Sequence, residues 1–115
     1  MTENELRRPE KGVTMSQVFG ALSHPTRRRI LATMREQNSP GEDELETVEF
    51  LPRGEPGDRI EIQLRHKHLP HLDEAEFIDW DRETDTITRG PRFEEIEPLL
   101  ELMDDHQDEL PADWP

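Results

Sequence analysis

Ala21-Leu22-Ser23-His24-Pro25-Thr26-Arg27-Arg28-Arg29-Ile30-Leu31 joins two helical patterns through a proline. Upstream, Val18, Phe19 and Leu22 fall at i, i+1 and i+4 and share a helix face, so a first helix is predicted to end near Ser23. Proline is favoured at the first position of a helix, where its missing N–H costs nothing. Ser23-His24-Pro25-Thr26 therefore restarts the chain as a second helix. Ile30, Leu31 and Met34 form the buried stripe of that helix.

Working outward, residues 1–13 are polar and without periodicity, which predicts a flexible arm. On the other side, Asn38-Ser39-Pro40-Gly41-Glu42 is a turn by composition. A short third helix is predicted from Asp43 to Leu51, with Leu45, Val48 and one of Phe50 or Leu51 turned inward. Residues 52–58 hold two prolines and two glycines, which cannot continue a helix. A fourth helix is predicted to start near Asp58, a candidate N-cap, with Ile60, Leu64, Leu69, Leu72 and Ala75 on its apolar face and Pro70 placed to kink it. Phe77-Ile78-Asp79-Trp80 and Thr86-Ile87-Thr88 read as short strands, and Asp81 to Asp85 between them completes a hairpin. From Ile96 to Leu110 the pattern is helical again, with Pro98 marking a start or a kink. The expected organisation is an arm over 1–13, one domain over 14–90, and a helix with an acidic tail over 91–115.

Leu, Ile, Val and Phe make up 25 of the 115 residues, roughly 22%, close to the level that with high net charge marks disorder. A small chain of this kind needs help to fold, and the absence of cysteine rules out disulfides and weakens the case for a metal. Association with a second copy remains, and Leu99, Leu100, Leu102 and Met103 are the candidate contact. No apolar run approaches a membrane span and the N-terminus lacks a signal core, which predicts a cytoplasmic protein.

The net charge is −14, a poor match for a polyanion partner on its face. Its distribution is uneven, however. Residues 1–41 sum to +3 and residues 42–115 to −17. Within the acidic part, residues 59–72 carry Arg59, Arg65 and Lys67 against Glu61 alone, with three histidines besides. That basic island is where an anionic partner docks. An acidic chain whose lysines are only Lys11 and Lys67 also resembles proteins of extreme halophiles. In molar salt the Debye length is about 3 Å, so a distant acidic face scarcely repels a phosphate.

Helix, helix, helix, helix, hairpin, helix is the order of a winged helix-turn-helix with an added terminal helix. Ala21 to Leu31 resembles the opening of ArsR-like winged-helix repressors, in which a helix, a proline restart and an arginine precede an Ile-Leu pair. His68-Leu69-Pro70-His71-Leu72-Asp73-Glu74-Ala75-Glu76-Phe77-Ile78 resembles the end of that family's recognition helix and its passage into the wing. His66-Lys67-His68-Leu69-Pro70 is similar to a His-x-His-Leu-Pro segment of a halophilic archaeal branch of the same superfamily. The resemblance spans about residues 16–90. It implies a mainly α fold with a small β-hairpin, and a transcription regulator that binds double-stranded DNA as a homodimer. It also implies that the exposed face of the fourth helix holds Gln63, His66 and Lys67, with Arg59 near its start. Three departures stand out: Glu76 occupies a position usually held by glycine, Arg65 an expected apolar position, and the wing carries Asp79, Asp81, Glu83 and Asp85.

An α-helix fits the major groove, where Gln63 can pair with adenine and Lys67 with guanine or phosphate. The alternative for these side chains is a solvated polar face. Arg27, at the head of the triple arginine, is a candidate phosphate contact, with pairing to a carboxylate as its alternative. His66, His68 and His71 invite a metal, but 66 and 68 lie on different helix faces and no cysteine completes a tetrahedral set, so no metal or other cofactor is expected. His68 is read as a semi-buried or capping residue. No phosphate loop, cysteine nucleophile or recognisable Ser/His/Asp arrangement is present, so no enzyme activity and no small-molecule substrate are expected. A different class of function stays open, a winged-helix protein-interaction module whose acidic hairpin and tail dock a basic partner. Because 28 carboxylates repel one another when screening is weak, thermal stability should rise with KCl through the molar range. A melting temperature unchanged from low to molar KCl would contradict the halophile-like reading.

Overall fold

The computed structural model describes residues 12–36, 44–51 and 58–115. Residues 1–11 of the arm expected over 1–13, the turn over 38–42 and most of the loop over 52–58 lie outside the described residues. Helix α1 (Met15–Ala21) is opened by a capping box. Thr14 Oγ1 accepts from the Gln17 N–H at 3.1 Å while Gln17 Oε1 accepts from the Thr14 N–H at 2.8 Å, so two otherwise unpaired donors are satisfied. Val18, Ala21 and Leu22 face the core. Phe19 does not. It is 60% exposed, since it lies one position round the helix from Val18, and the expected pairing of the two on one face is corrected.

Helix α2 (Pro25–Glu36) starts at the proline, as the sequence predicts. Its buried positions are Arg27, Ile30, Leu31 and Met34, a stripe at i, i+3, i+4 and i+7 that begins with an arginine. Among the described residues of 43–51 the predicted third α-helix is absent. Leu45–Glu46 instead forms a short strand β1, and Thr47–Phe50 a 3-10 turn. Tertiary pairing overrides local propensity here, because Leu45 sits opposite Ile87 in the sheet and the Thr47 N–H donates to the Asp85 carbonyl at 3.1 Å. Leu45 and Phe50 are nevertheless buried as expected, while Asp43 and the side chain of Val48 lie outside the described part.

Residues 58–74 run as one helix in three pieces: α3 (Asp58–Gln63), a π-helical stretch (Leu64–His68) and α4 (Leu69–Glu74). Pro70 has no N–H to give the His66 carbonyl, and its ring would crowd that carbonyl in a regular turn. The wider π turn, closed by the Leu69 N–H on the Leu64 carbonyl, precedes it. One extra residue per turn shifts the phase, so Leu64, His68, Leu69 and Leu72 all face inward and Arg65 turns out. Ile60, expected on the apolar face, is 41% exposed because α3 runs beyond the core, which begins at Leu64.

The helix ends on Glu76, whose φ of 67° is the left-handed conformation that favours glycine. The Phe77 N–H reaches the Leu72 carbonyl (3.1 Å) and the Glu76 N–H the Asp73 carbonyl (3.0 Å), a Schellman pair. Strands β2 (Ile78–Asp81) and β3 (Thr86–Arg89) follow, and the antiparallel sheet has the order β1-β3-β2. Helix α5 (Phe93–Asp105) begins before Ile96 and carries Pro98 inside it. Phe93, Ile96 and Leu100 pack into the same core as α2. Leu100, expected at a subunit contact, is therefore buried within its own chain, and Leu99 and Met103 pack partly against it; Leu102 stays exposed. The fold is thus mainly helical with a small three-stranded antiparallel sheet. Among the described residues no helix is long and apolar enough to cross a membrane.

Gly90 lets the end of β3 return onto the helix exit, its N–H bonded to the Phe77 carbonyl at 3.0 Å. A Cβ there would press on the Glu76 carbonyl and stand 2.7 Å from the Ile78 nitrogen, both backbone atoms that cannot step aside. Gly90→Ala should cost roughly 1–3 kcal/mol of stability in a urea melt. Gly20→Ala is the control, since its Cβ would meet only His71 at 3.6 Å and a helical alanine should be neutral or stabilising. Equal effects of the two changes would contradict this account.

Candidate nucleic-acid interface

The helix over 58–74 presents Arg59, Gln63, His66 and Lys67 to solvent. Arg59, Gln63 and Lys67 are spaced four apart and His66 three from Gln63, so the four predicted side chains share one side of the helix. The opposite side is in the core through Leu64, Leu69 and Leu72. Side chains of this type, donors and acceptors on a rigidly backed helix, can address base edges and phosphates.

Arg27 is not among them. It is 6% exposed and its guanidinium points inward, where Nη2 donates to the Gly20 carbonyl and to Ser23 Oγ, both at 2.9 Å, and Nη1 lies 2.9 Å from His68 Nδ1. The expected phosphate contact is corrected for a physical reason: position 27 lies three before Ile30 and four before Leu31, on the apolar stripe itself. That spacing is visible in the sequence. Arg28 donates to the Leu22 carbonyl (3.0 Å) and pairs with Asp113 (3.4 Å), which leaves Arg29 as the exposed member of the triplet.

His68 is 2% exposed, deeper than the semi-buried position expected for it. Burial, followed by the neighbouring His24, Arg27, Lys67 and His71, lowers its pKa to about 4, so the ring is neutral and its Nδ1 lone pair can accept from Arg27. His24 lies against it, ring centroids 4.1 Å apart, and caps α2 by accepting the Thr26 N–H on Nδ1 at 3.1 Å. Burial first, then Arg27 and Lys67, also holds the pKa of His24 down. Among the described residues no group of three or more His, Cys, Asp or Glu could hold a metal ion.

Arg65 connects this helix to the hairpin. It pairs with Glu61 one turn back at 3.4 Å and with Asp85 at the end of the hairpin turn. Asp85 also accepts from Trp80 Nε1 at 3.4 Å, and the Trp80 N–H donates to Asp73 Oδ1 at 3.2 Å, so helix and hairpin are tied at two points. Asp81 Oδ1 accepts from the N–H groups of Glu83 (2.9 Å) and Thr84 (3.3 Å) and so shapes the turn. Burial and the adjacent Asp73 and Glu76 push the Asp79 carboxyl above its ordinary range. The acids that make the hairpin look hostile to phosphate are in part structural.

A family model for a domain of unknown function, DUF7344, matches residues 19–88. The chain belongs to this family. The DUF7344 match opens in α1 and closes in β3, so it contains the exposed helix and all of the hairpin but Arg89, while α5 lies outside it. No curated protein and no solved structure matches the chain.

The neutral state of His68 makes stability pH-dependent. The unfolded histidine takes up a proton near pH 6.5 and the folded one only near 4. Between these values the unfolded chain binds more protons, so this contribution is complete above 6.5 and is lost as pH falls toward 4. His68→Gln keeps an acceptor for Arg27 without a titration in this range. The stability difference between the natural chain and this variant should shift against the natural chain by on the order of 1–2 kcal/mol from pH 7 to pH 5, measured by urea melts. A constant difference would show that His68 is not held neutral.

Proposed function

We propose that this DUF7344 chain is a DNA-binding transcription regulator of the winged helix-turn-helix type, similar to ArsR-like repressors, acting in the cytoplasm by binding rather than by catalysis. The observation that carries the reading is the joint exposure of Gln63, His66 and Lys67, with Arg59 at the helix start, on a helix backed by the core and followed at once by a β-hairpin. In this reading the helix over 58–74 enters the major groove, Gln63 addresses adenine, Lys67 guanine or phosphate, and Arg59 the backbone. A homodimer sets two such helices about one DNA turn apart. Met15 and Phe19 on α1 and Leu102 on α5 are exposed apolar side chains that a second copy would cover.

The test separates base reading from attraction to phosphate. Gln63, His66 and Lys67 lie outside the core, so replacing all three with Ala should leave circular dichroism unchanged. Selection from a random DNA pool in high KCl, where phosphate contacts are weak, should enrich a sequence with the natural chain and not with the variant. Gln63→Ala alone should relax preference at one position by on the order of 1–3 kcal/mol. No enrichment by the natural chain, or equal enrichment by the variant, overturns the assignment in favour of a protein-interaction module.

A further inference from the structure

Ile62 is 57% exposed, on the part of α3 that runs beyond the core. It stands two positions before the buried Leu64, which places it about 200° round the helix from the core, at 100° per residue. Its companions on that side are polar: Arg59 three before it and His66 four after it, both exposed. Ile60, two positions earlier, lies on another side of the helix. Ile62 is therefore one apolar side chain set within a stripe of hydrogen-bonding groups. A membrane surface or a protein hot spot would call for a contiguous apolar patch, which this stripe does not provide.

The major groove offers a partner of matching size and setting. Among its base edges thymine alone carries an apolar group, the C5-methyl, beside the acceptors and donors that the flanking side chains address. Cytosine presents an N4 amino group and no methyl, and an isoleucine over it strips water from a donor without replacing the hydrogen bond. Resting on the DNA-binding reading above, we infer that Ile62 is a specificity-determining residue that packs on a thymine methyl and thereby selects thymine over cytosine at one position of each half-site.

The experiment changes the DNA before it changes the protein. In the sequence enriched by the natural chain, each thymine is replaced in turn by deoxyuridine, which keeps every hydrogen-bonding group and removes only the methyl. One replacement per half-site should weaken binding by the natural chain about fourfold, the value of burying one methyl-sized group. Ile62→Ala, which removes the contact from both half-sites of the dimer, should bind the thymine site about sixteenfold more weakly, about fourfold for each half-site, and should not distinguish thymine from deoxyuridine there. Natural chain that binds tightly but is indifferent to every deoxyuridine overturns the inference and leaves the DNA-binding reading standing. The inference falls in the same way if Ile62→Ala stays as sensitive to the missing methyl as the natural chain. Failure of the natural chain to enrich any DNA overturns both.

Discussion

A guanidinium buried without a carboxylate among its contacts in the described residues is the constraint around which this small fold is arranged. Taking Arg27 out of water costs several kcal/mol, and the cost is offset by neutral acceptors: the Gly20 carbonyl, Ser23 Oγ and the His68 imidazole. Each acceptor comes from a different place. Gly20 is in α1, Ser23 in the connection to α2, and His68 in the π-helical stretch of the exposed helix. The planar fork of an arginine can reach all three at once, whereas a lysine would bring a single point of charge. Removing His68 would leave a buried cation short of an acceptor, which is why its neutrality matters to structure as well as to titration.

The same contact fixes what the exposed helix can offer. His68 must face Arg27, and Pro70 two positions later denies the helix a regular turn, so the π stretch is held at one place with one phase. Leu64 then faces the core, Arg65 turns out toward the hairpin, and the side carrying Arg59, Gln63 and His66 is set by geometry rather than by the preferences of those side chains. The ties from Arg65 to Asp85 and from Trp80 to Asp73 hold the hairpin beside the helix. A solvent-accessible ion pair such as Arg65–Asp85 adds little stability, so its contribution is to relative position.

Much of this architecture is legible in the sequence wherever a local rule and the tertiary environment agree. Pro25 opens a helix on sterics alone, Ile30, Leu31 and Met34 fall on its stripe, and the alternation in Phe77 to Trp80 and Thr86 to Thr88 becomes a hairpin. Glu76 in a glycine position does adopt the left-handed conformation, stabilised by Arg92, which pairs with it at 2.7 Å. The segment from Leu45 reads as helix in the sequence because its partner strand lies some forty residues away, and a two-residue strand leaves no periodic trace. Arg27 reads as outward when charge is weighed above spacing, although its position on the apolar stripe is there to be seen. Among the proposed site residues, Gln63, His66, Lys67 and Arg59 are legible as a polar face, but Ile62 is not, since an apolar residue two before Leu64 reads as exposed only once the start of the core at Leu64 is known.

The balance of charge follows from the same arrangement. In the acidic part of the chain Arg65, Arg82, Arg89 and Arg92 are engaged within the protein. Arg89 donates to the Met34 and Arg35 carbonyls at the end of α2, both at 3.1 Å, and lies 3.7 Å from Glu97, while Arg92 joins Glu76 to Glu95. Arg82 lies over the Trp80 ring at 4.5 Å. Arg89 and Arg92 organise the return of β3 onto α2 and α5. Arg59 and Lys67 are by contrast exposed about two turns apart on one helix, while Arg29 lies beside Glu36 and Glu49. A chain of net charge −14 thus leaves two exposed cations on the helix over 58–74. Under strong screening, an anionic partner would respond to those cations and to the shape of the helix, and hardly to the carboxylates beyond a few ångströms.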